Sequence, residues 1–156
     1  MYWKLPPDIK IYEALGAVAD GRIEMVNDTE AKVYSSSRGK FYTVTYDPKT
    51  RAIMANDNGS YWQGYLGYPS IAFLMQIRVI AFERKYAEAL KDIAWKDVNT
   101  KFKNDFDKTV EYIHELLREK KLSVEEFLNE VVNIRKRIEK LNLSLLGKKI
   151  KPPAGY

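Results

Sequence analysis

Asn56-Asp57-Asn58-Gly59-Ser60-Tyr61-Trp62-Gln63-Gly64-Tyr65-Leu66-Gly67-Tyr68-Pro69 separates two different periodicities in this 156-residue chain. Before it, apolar residues alternate at strand spacing; after it, they recur at helix spacing. Three Gly, three Tyr, one Trp and one Pro fall within Gly59 to Pro69. The stretch therefore has a structural duty, turning a sheet into a helix, which uses its glycines and Pro69. Its aromatic side chains and Asp57 have no such local explanation, and they form the core of the expected binding site.

Working back from the junction, four strand-like runs are separated by Asn27-Asp28-Thr29-Glu30, Ser37-Arg38-Gly39 and Asp47-Pro48-Lys49-Thr50. Asn and Asp bond their own backbone in turns, Gly accepts positive φ, and Pro presets one turn dihedral. Connections this short join antiparallel neighbours, so the runs predict a four-stranded meander. Its inner face is expected to hold Ile23, Met25, Val33, Ile53 and Ala55. The third strand reads either way: Tyr42, Val44 and Tyr46, or Phe41, Thr43 and Thr45, point inward. In the first case the outer face presents Arg22, Lys32, Tyr34, Phe41 and Thr43, and a one-residue slip exchanges the sets. Ahead of the strands, Asp8 is expected to cap a helix on Ile9, Tyr12, Leu15 and Val18, ended by Asp20-Gly21. Gly16 inside it weakens the helix and points to close approach of another backbone.

Forward from the junction, Ile71 to Phe82 is apolar almost all round, which predicts a buried helix, continued as an amphipathic one through Tyr86, Leu90 and Ile93. A second helix is read on Phe102, Phe106, Thr109, Ile113 and Leu116 or Leu117. Ser123-Val124-Glu125-Glu126 is a capping box, with Leu122 and Phe127 as its staple, and opens a third helix on Phe127, Val131, Ile134, Ile138, Leu141 and Leu145. Leu128 and Val132 widen its apolar face beyond what one partner helix needs. The expected fold is α+β: an N-terminal helix, a four-stranded antiparallel meander, then three amphipathic helices packed as a bundle against the sheet. One domain spans 1–147, with helix and meander in 1–68 and the helical part in 69–147. Residues 148–156 form a basic tail.

Composition narrows the function classes. With 46% hydrophobic and 30% charged residues the chain reads as globular. The absence of Cys removes disulfides, thiolate metal sites and Cys nucleophiles. His114 is the single His, read as lying on a helix flank, and without companions it forms no ordinary zinc site. No cofactor or metal is expected, and neither a dinucleotide nor a phosphate-loop fingerprint occurs. No signal-like or membrane-length apolar run is read, so the expected location is cytoplasmic. Two Gln, no Cys and abundant Lys, Arg and Glu resemble the usage of heat-adapted proteins.

The net charge of +5 is concentrated towards the C-terminus. A basic patch of Arg135, Arg137, Lys140, Lys148, Lys149 and Lys151 is expected to attract nucleic acid or another acidic partner. The expected ligand site joins Tyr61, Trp62, Tyr65, Tyr68 and Asp57 to Arg22, Arg38 and Arg51, because aromatic faces with interleaved cations stack bases. Three functions follow from these features. The first is a non-enzymatic binding protein associated with nucleic acid. The second is a homodimer or protein adaptor using the helices. The third is a small-molecule or carboxylate enzyme site, which needs a concavity where Asp57 or Glu24 meets Trp62 and Tyr65.

Overall fold

In the computed structural model, which describes residues 1–154, the chain forms α1 (Asp8–Ala19), β1 (Ile23–Asn27), β2 (Glu30–Tyr34), β3 (Phe41–Asp47) and β4 (Ala52–Ala55). A π-helical turn at Gly59–Gln63 follows, then α2 (Tyr68–Gln76), α3 (Arg84–Ala89), α4 (Trp95–Lys101), α5 (Phe106–Glu119), α6 (Val124–Leu141) and β5 (Ser144–Leu145). The architecture is α+β, with the N-terminal helix, then strands, then helices, as the periodicities predict. The last two residues of the expected basic tail, 155 and 156, lie outside the described residues.

The four antiparallel strands pair in sequence order, with Val33 opposite both Ile23 and Tyr42, and Val44 opposite Ala55. Tyr42, Val44 and Tyr46 are the buried set of β3, which settles the open choice, and Phe41 lies outside. Met25 departs from expectation at 38% exposed: β1 is the outermost strand, and its register breaks between Met25 and Asn27. A fifth strand is also present. Asn142 takes a left-handed conformation (φ 47°) that turns the chain out of α6, and Ser144–Leu145 then runs parallel to β4. The N-terminal residues add to that edge, Trp3 donating from its indole Nε1 to Ile53 O at 2.8 Å.

Three helices after the junction become five. The long helix expected from Pro69 to Ile93 stops at Gln76, because Arg78 adopts φ 65° and the chain closes a Schellman pair, Arg78 N to Met75 O (3.1 Å) and Val79 N to Leu74 O (2.8 Å). The same closure without Gly recurs after α4, with Lys103 and Asn104 at positive φ, and after α5, at Lys121. By contrast the Ser123 N-cap is formed as read: Ser123 Oγ accepts from Glu126 N at 3.2 Å, and Phe127 is fully buried. At α1 the helix begins one residue earlier than expected, with Pro7 as cap and Asp8 as a first-turn acid favourable to the dipole.

α1 and α2 lie side by side, and α2 contacts β1, β2, β3 and β4 while α3 and α6 close on α1. Nine of the twelve residues of α1 are buried, including Glu13 and Gly16. A Cβ at Gly16 would stand 2.8 Å from Trp95 Nε1 and 3.1 Å from Leu90 O. The close backbone approach inferred from Gly16 is thus with the chain leading into α4. His114, read as lying on a helix flank, is instead buried: it shares a 2.9 Å hydrogen bond with the Tyr12 hydroxyl and stands edge-on to Phe127. Burial holds its imidazole below the ordinary histidine value, so at neutral pH a ring nitrogen is free to accept the Tyr12 proton.

Candidate functional site

A concavity with a volume of about 150 Å³ lies where α1, the β2–β3 connection, the start of α2 and α4 meet. α1 contributes Lys10 and Glu13 to its lining. Lys10 and Glu13 sit one turn apart, Lys10 Nζ meeting Glu13 Oε2 at 3.1 Å. Asn99 of α4 donates to the other Glu13 oxygen at 3.0 Å and accepts from Thr109 Oγ1 at 3.2 Å. Both oxygens of this buried carboxylate are therefore occupied, as a charge removed from water requires. Burial works against the charge on Lys10, but Glu13, Tyr65 and Asp57 outweigh it and hold the ammonium above the usual lysine range.

Arg22 forms one wall. Its backbone N–H closes the end of α1 on Ala17 O at 3.0 Å. This folds residue 22 back under the helix rather than onto the outer face of the sheet, where strand alternation puts it. The side chain is only 2% exposed. Nε donates to Asp20 Oδ2 at 3.1 Å, Nη1 donates to Tyr34 O at 2.8 Å, and the guanidinium lies 5.9 Å from the Tyr68 ring centre. Nη2 is buried and has no acceptor. Trp95, 4% exposed, lines the same cavity, and its indole Nε1 is likewise buried without an acceptor. These two are the only side-chain donors or acceptors left so among the described residues. Each such group costs about 1–3 kcal/mol of folding free energy.

The rest of the lining is cationic and rich in hydroxyls. Ser35, Ser36, Ser37 and Lys40 come from the β2–β3 connection, Tyr42 from β3, Asn58 and Tyr68 from the junction, and Lys96 from α4. Lys96 N donates to Ser36 Oγ at 3.3 Å, so the hairpin and α4 touch beside the cavity. Burial, and then the charge of Lys96, pull Lys40 below the ordinary lysine value.

The junction residues are divided among three places. Tyr68 and Asn58 line the cavity, and Tyr68 packs edge-on to Tyr42, with ring centres 6.2 Å apart. Asp57 is sealed beneath the junction: Ser60 N and Oγ donate to its two oxygens at 3.1 and 2.6 Å, while burial pushes its carboxyl above the ordinary range. Its unexplained status ends here, since it caps the π-helical turn and fills the space over Gly67, where a Cβ would lie 2.6 Å from Asp57 Cγ. Tyr65 occupies the space over Gly59 in the same way. Tyr61 and Trp62 stand outside, edge-on to each other at 4.7 Å, with Trp62 63% exposed.

Of the remaining expected residues, Arg38 donates to Asp20 O at 2.9 Å near the cavity, whereas Arg51 sits in the β3–β4 turn at the other end of β3. Glu24 accepts from the Tyr34 hydroxyl at 2.8 Å on the exposed sheet face. Neither Glu24 nor Asp57 lines this cavity. In the basic patch, Arg135 is spent on Pro6 O (2.7 Å) and Asp8, and Arg137 on Ala81 O (2.9 Å) and Glu130, tying α6 to the rest of the fold. Lys149 lies beside the junction, 3.4 Å from Tyr61 O, while Lys140, Lys148 and Lys151 are exposed. The residues missed by sequence reasoning are Lys10, Glu13, Lys40, Trp95, Lys96 and Asn99. Glu13 carries one local sign, a carboxylate in a helix apolar on nearly every side.

The chain belongs to the family described as uncharacterised conserved protein UCP014422, whose model matches residues 3–144. That span runs from the N-terminal segment to the start of β5 and holds every residue lining the cavity. No curated protein and no solved structure matches the chain. No helix among the described residues is long and apolar enough to cross a membrane, and no group of three or more acidic or His side chains there could hold a metal ion.

Proposed function

We propose that this protein binds a small anionic molecule in the cavity between α1, the β2–β3 connection and α4. One observation carries the proposal: both buried donors without an acceptor, Arg22 Nη2 and Trp95 Nε1, belong to residues lining this one cavity. A ligand bringing acceptor oxygens would satisfy them and recover what each costs the ligand-free fold. Four basic side chains against one acidic side chain in the lining favour negative charge on that ligand. A cavity of this volume takes roughly the size of a benzene ring or a little more.

The test is a calorimetric titration with small carboxylates and inorganic phosphate, repeated on Trp95→Phe. That substitution removes an unpaired buried N–H, a gain of about 1–3 kcal/mol, and loses packing volume at comparable cost. The variant is therefore expected to melt within a few degrees of the parent. Its affinity is expected to fall at least tenfold, since a hydrogen bond to a charged group contributes about 1.5–3 kcal/mol. Equal affinities in parent and variant would sink the role of Trp95.

Nucleic-acid association is the second proposal, supported by the exposed Trp62 beside Tyr61 and Lys149. Quenching of Trp62 by single-stranded RNA at low salt, relieved steeply as salt rises, is its expected signature; Trp62→Ala should abolish it. A homodimer through α6 would rest on Leu128 and Val132, both exposed on that helix.

A further inference from the structure

We infer that α6 pairs with α6 of a second copy of this chain, antiparallel and about a two-fold axis level with Glu130; this deepens the homodimer reading above and rests on it. Leu128 and Val132 stand 39% and 47% exposed on a helix whose inward face, Phe127, Val131, Ile134 and Ile138, lies in the core. They are about one turn apart on neighbouring lines of the helix and form an exposed apolar step. Glu125 and Lys136 flank that step. They are separated by about three full turns, so both project along one line of the helix, beside Val132. Each is exposed, and neither side chain makes a hydrogen bond or ion pair among the described residues. Arg135 and Arg137, by contrast, are committed within the protomer to Asp8 and Glu130.

The charges decide both the occupant and its direction. The first half of α6 holds Glu125, Glu126 and Glu130 and no basic residue, whereas the second half holds Arg135, Lys136, Arg137 and Lys140 against Glu139. A parallel pair sets acid against acid and base against base, and brings like ends of the two helix dipoles together. An antiparallel pair matches acid to base and N-terminus to C-terminus. The face thus carries its own complement, as a two-fold contact requires, and that selects a second copy as the occupant. The register follows from the apolar step. Setting Leu128 on Val132 of the partner subunit, and the reverse by symmetry, puts the axis midway between them. Glu125 then lies within one residue, about 1.5 Å along the helix, of the level of Lys136 of the partner subunit. Two such ion pairs lie beside the apolar contact. Size sets the strength: the 18 residues of α6 span about 27 Å, and a strip one helix wide covers roughly 300 Å² per copy, well under the ~800 Å² of a stable interface. The dimer is therefore expected to dissociate at tens to hundreds of micromolar.

The experiment is sedimentation equilibrium of the full chain at low salt, up to hundreds of micromolar, on the parent and on variants at these four positions. Leu128→Asp and Val132→Asp should each weaken the dimer at least tenfold, by burying a charge at the centre of the contact. Glu125→Lys and Lys136→Glu each turn two attractions per dimer into two repulsions, and should weaken it about tenfold. Combining those two changes in one chain restores both pairs with the charges exchanged, and should return the dissociation constant to within about threefold of the parent. Lys151→Glu, the same charge change in the tail, should shift it by less than about threefold. All four positions on α6 are exposed, and circular dichroism melting checks that the variants fold. Three results overturn the inference. A strict monomer throughout removes it together with the homodimer reading. A dimer indifferent to Leu128→Asp and Val132→Asp forms through another surface. A dimer lost in those two variants but unchanged in Glu125→Lys and Lys136→Glu, or not restored by their combination, leaves α6 as the contact and removes the antiparallel register.

Discussion

Gly67→Ala is expected to lower stability by about 3 kcal/mol or more, enough to shift a thermal midpoint by roughly ten degrees in a chain of this size. The reason is not backbone conformation, since Gly67 has an ordinary extended φ of −79°. It is the carboxyl of Asp57, whose Cγ would lie 2.6 Å and Oδ1 2.9 Å from the new Cβ. Asp57 has nowhere to retreat, because it is fully buried and both oxygens are held by Ser60. Moving it would break those bonds and leave a buried carboxyl without partners, which is more costly than the steric overlap itself.

A double-mutant cycle separates this cause from a general sensitivity of the junction. Asp57→Ala is destabilising alone, since the π-helical turn loses its cap. In that background the Cβ added at position 67 meets empty space, so the second substitution should cost less than about 1 kcal/mol. The coupling measured by urea denaturation of the four proteins is therefore expected to be about 2 kcal/mol or more in the compensating sense. Additive effects would rule out contact between position 67 and Asp57 as the source.

How much of this is legible in the sequence depends on how local each cause is. The meander is legible because its turns are spelled by adjacent residues, Asn27-Asp28, Arg38-Gly39 and Asp47-Pro48, and the α6 start because Ser123 and Glu126 cap it within one turn. The breaks after Gln76, Lys101 and Glu119 are not legible. Their left-handed positions include Arg78, Lys103 and Lys121, residues that ordinarily continue helices; only Asn104 among them is of a type that favours such a stop. There the ends of α2, α4 and α5 are held by tertiary packing around Leu74, Val98 and Leu117, which outweighs local preference.

The site divides the same way. Arg22 and Tyr68 are visible as a cation and an aromatic near turns, and the fold brings them within 5.9 Å. Trp95 reads only as a helix boundary, because its meaning depends on Gly16, seventy-nine residues earlier, leaving room for the indole. Asp57 looks functional for the opposite reason. Its partner Ser60 is local, but the glycine that makes room for it is already accounted for by the turn.

Arg22→Met is expected to cost about 2–4 kcal/mol and to abolish anion binding to the cavity, a loss of at least a hundredfold. Three contributions set the sign. Removing the guanidinium takes the partner of Asp20 and the donor to Tyr34 O, and breaking such a buried pair costs about 3–5 kcal/mol. It also removes the unpaired Nη2, which returns about 1–3 kcal/mol. Methionine refills the apolar part of the volume against Tyr68, so no large cavity is left. The net is destabilising because, among the described residues, the donor left to Asp20 is the N–H of Asp92, at 2.7 Å from its other oxygen. Arg22→Lys supplies the control. It restores a positive charge near Asp20 and should recover part of the stability, but an ammonium cannot bond Asp20, Tyr34 O and a ligand in the fixed directions of a guanidinium. Stability and affinity should therefore part company in that variant: folding recovered by about half, binding still down tenfold or more. If both recover together in Arg22→Lys, the cavity needs only charge at this position. The unpaired Nη2 would then have no part in recognition.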